Sequence, residues 1–204
     1  MEAARDAGAG LAFFGGNDVY WQVRFEPGAD GAPDRTLVCY KDAELDPAAQ
    51  SDPRRSTVLW AADPVDRPQS LLTGSTYGTN ATPEQQPWVV ADDSSWVFTG
   101  SGLAQGDSIP GIVGYEYDRL GDEASRPAGL DIVALSPVEG WEGQDTTASV
   151  VYIAPSGAPV FSAGTIQWTW GLDDFGHEAI GTFADERLRT VTKNVLNALI
   201  TAPE

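Results

Sequence analysis

Apolar and polar positions follow different rhythms along this chain, and each rhythm predicts a different element. Residues 11–14, Leu-Ala-Phe-Phe, form an unbroken apolar run. Such a run suits a strand buried on both faces, as in parallel sheets. Residues 2–7 ahead of it are helix formers, and Gly8 and Gly10 can end that helix. A helix feeding a buried strand is half of an α/β unit. Near the other end, DERLRTVTKNVLNALI places Leu188, Val191, Val195, Leu196 and Leu199 on one helical stripe, with Asp185 as N-cap or first-turn acid.

Between these ends the pattern is mostly that of strands. VYWQVRFE and RTLVCYKD flank PGADGAPD, which is dense in turn formers, so a hairpin is expected. TTASVVYIA and PVFSAG flank PSGA, a second and clearer hairpin. WVV and WVFTGSGL read as strand material around ADDSS, and LDIVALSPVE as a strand leading into a proline. Residues 43–56 read as loop, and STVLWAADPVDRP as one short strand before its prolines. Residues 67–88 read as a long irregular segment, a kind that is often functional.

Composition narrows the class. The 204 residues carry 12 Lys and Arg against 30 Asp and Glu, a formal net charge of −18. A chain this acidic is repelled by phosphate backbones and anionic membranes, which excludes nucleic acid and membrane surfaces as partners. No apolar run reaches the ~18 residues of a membrane span, and no basic and apolar leader opens the chain, so a cytoplasmic location is expected. Cys39 is the single cysteine, which rules out an intrachain disulfide; it reads as a buried, inert thiol. The Asn80-Ala81-Thr82 sequon has no other secretory feature beside it. The chain opens in the middle of an α/β unit, so Met1 is read as an internal start and residues 1–204 as one partial domain.

Several catalytic classes then fall away. His177 is the single histidine, in an acidic, glycine-flanked stretch, and no G-x-S-x-G elbow exists. One Cys and one His cannot build the usual zinc sites, and phosphate-binding glycine motifs are absent. Glu116 and Asp118 remain, two apart in GYEYDR. On a strand they share one face, with Tyr115 and Tyr117 on the other. They are either a solvated acidic pair beside Arg119 or a working carboxylate pair flanked by tyrosines. Tyrosine and carboxylate oxygens are hard donors that suit Fe(III). No spacing selects among Tyr20, Tyr40, Tyr77, Tyr115, Tyr117 and Tyr152.

Six blocks occur in one order: GLAFFGGNDVYWQVRFEP, RTLVCYKDAELDP, RPQSLLTGSTYG, WVFTGSGLAQGDSIPGIVGYEYDR, PVFSAGTIQWTWGLDD and VTKNVLNAL. Together they resemble the C-terminal domain of the N,N-dimethylformamidase large (beta) subunit family, over nearly the whole chain. The resemblance implies a flavodoxin-like, class I glutamine amidotransferase-like three-layer α/β sandwich, with β-hairpin additions and a C-terminal helix. It implies hydrolysis of a small formamide-type amide at a mononuclear iron held by two Tyr and one Glu. Carried over, Tyr20 in GGNDVYW is similar to one iron-ligand Tyr and Glu116 in GYEYD to the Glu. The second Tyr is expected upstream of the first strand, with Tyr40 and Tyr77 as fallbacks. Asp118 is assigned proton shuttling to the leaving amine, on proximity to Glu116 alone. The partners expected are a small-molecule amide substrate and a small subunit or a second copy. Two other readings are a binding or scaffold domain of this fold and, from the many Trp and Asp, a carbohydrate-related module.

Overall fold

The computed structural model describes residues 1–176 and 179–201. His177 therefore lies outside the described residues. In chain order the elements are α1 (Glu2–Asp6), β1 (Leu11–Phe13), β2 (Arg24–Glu26), β3 (Thr36–Val38), α2 (Ser70–Thr73), β4 (Ser75–Asn80), β5 (Gln86–Val89), β6 (Ser108–Val113), β7 (Glu116–Leu120), β8 (Asp131–Gly140), β9 (Gly143–Ile153), β10 (Pro159–Ser162) and α3 (Glu186–Ile200). The chain divides into two compact units. The first comprises Met1–Asp18 with the chain from Ser70 onward, and the second is Val19–Gln69.

The first unit is built on a four-stranded sheet in the order β1-β10-β9-β8. The hairpin around PSGA is present, with Ile153 opposite Pro159 and Val150 opposite Ser162. Within this sheet β1 pairs parallel with β10, and the other two pairings are antiparallel. Two-stranded sheets β4-β7 and β5-β6 complete the unit. The fold is mixed α/β with several small sheets and a C-terminal helix; the described residues form no closed barrel. β1 lies at the edge of its sheet and is half-buried, less enclosed than its unbroken apolar run suggested.

Tryptophans organise the core of this unit. Trp168 lies edge-on to Trp88 and Phe161, with ring centroids 5.5 Å away in each case. Both buried indoles keep a partner, as such N–H groups require. Trp88 Nε1 donates to Ser149 Oγ at 2.8 Å, and Trp168 Nε1 to Thr192 Oγ1 at 3.0 Å. Thr192 belongs to the inner stripe of α3, with Leu188, Val191 and Val195. Asp185 caps this helix, accepting from the Arg187 N–H. Leu196 departs from the expected stripe and is 46 % exposed. At ~100° per residue it stands roughly 80° round from Leu188, on the margin of the buried face.

Three other expectations are corrected. WVFTGSGL forms a short 3-10 turn at Trp96–Phe98 instead of a strand. The segment 67–88 is ordered into α2, β4 and the start of β5. Its polar composition hid the strands, because β4 pairs with β7 and draws its order from a distant partner. β8 runs through Pro137 to Gly140, since a proline costs only one donor in a ladder this long.

The second unit holds the first expected hairpin, shortened to three pairs, with Phe25 opposite Leu37. Its centre is polar. Asp46 is fully buried and receives Arg24 through both terminal guanidinium nitrogens at 3.0 Å. The same carboxylate accepts from the Ala48 N–H at 3.0 Å, the Thr57 N–H at 2.9 Å and the Thr57 hydroxyl at 2.8 Å. The Arg24 guanidinium first, and the Thr57 and Ala48 donors after it, hold the Asp46 carboxyl well below the usual carboxylate range against the opposing cost of burial. Around it, residues 43–56 wind into two 3-10 turns, Pro47–Gln50 and Pro53–Arg55. STVLWAADPVDRP contributes a single bridge, Leu59 to Trp21, where a short strand was expected. Cys39 is partly exposed, not buried as its apolar neighbours implied.

Candidate functional site

The carboxyl ends of parallel strands are where open α/β sheets bind ligands. Here β1 ends at Phe13 and β10 at Ser162, side by side. The chain after β10 turns to pair with β7: the Asp118 N–H donates to Gly164 O at 2.9 Å and the Ile166 N–H to Glu116 O at 3.1 Å. Thr147 Oγ1 donates to Asp118 O at 2.8 Å, fixing the strand from behind. Glu116 and Asp118 are thereby set against the loop that leaves β1.

That loop, Gly15-Gly16-Asn17-Asp18, lies directly on β7. A Cβ on Gly16 would stand 2.8 Å from Glu116 O and 3.1 Å from Ile166 N, so only glycine permits this approach. Asn17 follows with a φ of 60°, a left-handed conformation that asparagine tolerates better than most residues. Its N–H donates to Asp118 Oδ1 at 2.7 Å, and its Nδ2 to Glu116 Oε1 at 3.3 Å. One residue thus holds both carboxylates, so the two acids do share a face. Tyr117 turns the other way, into the core, where its hydroxyl donates to Asp145 Oδ2 at 3.0 Å. Tyr115 is 41 % exposed.

Asp118 is buried, at 2 % exposure, and no cation lies among its partners. Burial is the main force on its carboxyl; the Asn17 N–H opposes it, and the nearby Asp18 and Glu116 charges add to it. The net result is a carboxyl pushed up to about 7. Burial raises Asp18 as well. The second oxygen of Asp118 has Ser75 Oγ at 3.5 Å, at the limit of a hydrogen bond, and Ser75 Oγ lies 3.1 Å from Ser162 Oγ. Two acceptors, Asn17 Oδ1 and Asp18 Oδ2, are buried with no donor among the described residues. Such atoms call for an explanation, because an unmet buried acceptor costs stability.

Tyr77 stands opposite Asp118 in the β4-β7 ladder, and directly opposed residues share a face of the sheet. Its hydroxyl donates to Asn80 Oδ1 at 2.6 Å. Tyr20 belongs to the second unit, where its ring meets Trp21 edge-on at 5.5 Å and its carbonyl accepts from the Trp60 N–H at 3.1 Å. Tyr40, also in the second unit, is 45 % exposed. The Tyr152 hydroxyl is taken up by Leu72 O at 2.7 Å. Among the described residues no group of three or more His, Cys, Asp and Glu side chains is placed to hold a metal ion.

Asn17, Asp18, Ser75 and Ser162 were missed by sequence reasoning. GGND carries the residues of a turn, and nothing local shows that the turn rests on a strand about a hundred residues away. Gly16→Ala is expected to lift this loop from β7 and lower stability by roughly 1–3 kcal/mol, as overpacking does. Urea unfolding checks the energy, and loss of amide protection at Asn17 checks the place.

Among the described residues no helix is long and apolar enough to cross a membrane. No curated protein matches the chain. A family model described as N,N-dimethylformamidase beta subunit-like, C-terminal, matches residues 1–182, and the chain belongs to that family.

Proposed function

We propose that the edge of β1 and β10 is the active site of an amide hydrolase that cleaves a small formamide-type C–N bond. The observation that carries this reading is the buried Asp118 carboxyl, held beside Glu116 by Asn17 in a chain of this family. Breaking an amide by water needs a proton delivered to the departing amine, whose nitrogen is a poor leaving group without it. A carboxyl pushed up to about 7 keeps that proton at neutral pH and can still release it. Asn17 orients the acid through a backbone N–H, which cannot rotate away as a side chain can.

We extend the proposal to a mononuclear iron, as Fe(III). The donor set fits, because Glu116, Asp18 and tyrosine offer hard oxygens. The buried acceptors Asn17 Oδ1 and Asp18 Oδ2, which have no donor among the described residues, also suit a positive charge nearby. Glu116 would supply the carboxylate ligand. Within this unit Tyr77, on the Asp118 side of its ladder and the fallback for the second tyrosine, is the phenolate candidate; Tyr20, carried over from the family resemblance, belongs to the second unit. When bound, the ion supplies Lewis acidity toward the amide carbonyl. The family's description as beta subunit-like supports a second kind of subunit as partner. The finer fold reading, a flavodoxin-like sandwich, is supported by the parallel β1-β10 pair with α1 ahead of it.

Bound iron and amine release from small formamides, measured on the same preparations, test this reading. Glu116→Gln is expected to lose most of the iron and to turn over at least ~10²-fold more slowly, as removal of a metal's carboxylate ligand or its support does. Full iron and full turnover in Glu116→Gln would remove Glu116 from the site. A wild-type protein with neither iron nor amine release would favour a binding domain of the same fold.

A further inference from the structure

A general acid must come within hydrogen-bond reach of the nitrogen it protonates, yet Asp118 is 2 % exposed. Access to it therefore needs a part of the structure that moves. Its carboxylate has two close neighbours. On one side is Ser75, fully buried at the start of β4 and held in the ladder opposite Leu120. On the other is the turn 15–18, which rests on β7 without belonging to a strand or helix. Among the described residues two hydrogen bonds tie this turn to β7, the Asn17 N–H on Asp118 Oδ1 and the Asn17 Nδ2 on Glu116 Oε1.

The closed turn carries several unrelieved costs. Asn17 Oδ1 and Asp18 Oδ2 are shut away from water with no donor among the described residues, and water would meet both if the turn lifted. Asn17 is left-handed at a φ of 60°, and Val19, next along the chain, is left-handed at 54°. Asparagine tolerates that conformation; valine does not, because its branched Cβ crowds the backbone. Val19 is the one β-branched residue at positive φ among the described residues. Backbone held in this way persists only where its surroundings enforce it, and it clusters at segments that switch. Gly15 and Gly16 lead into the turn, and glycine readily absorbs the backbone rotation that a hinge needs. The bonds to Asp118 and Glu116 favour closure, while the buried acceptors and the strain favour release.

We propose that the turn 15–18 is a lid over Asp118 and Glu116, closed in this conformation and swung away about Gly15 and Gly16 to admit the amide. Asn17 is its latch. In the open state Asn17 leaves both carboxylates, Asp118 Oδ1 faces solvent and Val19 relaxes to negative φ. Closure returns the Asn17 N–H to the acid and keeps water from it. The purpose given to the lid rests on the hydrolytic reading of this edge; the motion does not.

Native-state hydrogen exchange of the purified protein at low urea tests the proposal without a substrate. The Asn17 amide is expected to exchange at least ~10-fold faster than the slowest amides of β8 and β9, at a rate that urea below the unfolding transition leaves nearly unchanged, the mark of local opening. Val19→Asn removes strain from the closed state without the extra freedom that glycine would give the open one, and should slow Asn17 exchange by ~5-fold or more. Gly16→Ala crowds Glu116 O and should speed it. Protection along β8 and β9 in each variant reports that the fold is kept. For amine release, kcat/KM should fall in Val19→Asn by the factor by which its exchange slows, since fewer molecules are open. Asn17 exchange that matches the slowest β8 and β9 amides at every urea concentration, or that shifts the same way in both variants, would overturn the proposal. Opening at Asn17 in a protein that releases no amine would sustain the lid and remove the hydrolytic reading.

Discussion

Asp46→Ala is expected to unfold the Val19–Gln69 unit, at a cost of about 3–5 kcal/mol, the range for breaking a buried ion pair from one side. The variant leaves the Arg24 guanidinium in a partly buried position without its bidentate partner, and it removes the acceptor of the Thr57 and Ala48 N–H groups. No apolar cluster in this unit compensates, since its hairpin sends Phe25 and Leu37 outward, at 57 % and 59 % exposure. Hydrogen exchange reads the result by location: protection at Ala48 and Thr57 should be lost, while protection along β8 and β9 persists. The pH dependence follows from the depressed Asp46 carboxyl. A group whose folded pKa lies below its unfolded value stabilises fully above the unfolded value, ~3.9, and loses that contribution only as pH falls below it. The unit should therefore withstand mild acid.

Asp118→Asn is expected to act in opposite directions on stability and on turnover. The Asp118 carboxyl is raised, so the folded state keeps a proton that the unfolded state has lost between pH ~3.9 and about 7. Stability therefore falls as pH rises through that window, by as much as ~4 kcal/mol from this group alone. Asparagine cannot ionise, so the variant should lose this slope and exceed the wild type in denaturant midpoint at pH 8. Turnover should drop by ~10²–10⁴, the weight of a general acid. The wild-type rate should decline as rising pH takes the proton from the acid, and the variant should lack that limb. A merely structural Asp118 would shift stability without moving the pH–rate profile.

The elements legible in the sequence were those whose order comes from their own residues. The α3 stripe, its Asp185 cap and the β9-β10 hairpin carry period and turn chemistry locally, and all are present, with Leu196 alone turned out of the stripe's buried face. β4 was not legible, because SerThrTyrGlyThrAsn has no apolar period and becomes a strand only against β7. Asp46 was not legible either. It sits in a polar stretch that reads as loop, and its partners Arg24 and Thr57 come from 22 residues before it and 11 after it. At the candidate site the alternation in GYEYDR correctly placed Glu116 and Asp118 on one face. What the pattern could not show was the loop lying on them. Gly16, Asn17 and Asp18 become informative only through the close approach to Glu116 O and the contact with Asp118 Oδ1. Alternation also could not show that the two acids differ in burial: Asp118 is buried and Glu116 only partly so.

Release of amine from a small formamide by the wild type, Glu116→Gln and Asp118→Asn, followed from pH 5 to 9 with bound iron measured in each, bears most directly on the hydrolytic site. The account predicts wild-type turnover that falls once rising pH removes the Asp118 proton, loss of both iron and turnover in Glu116→Gln, and slow turnover with retained iron and no such pH limb in Asp118→Asn. Wild-type rates in both variants, with the same pH profile, would contradict it.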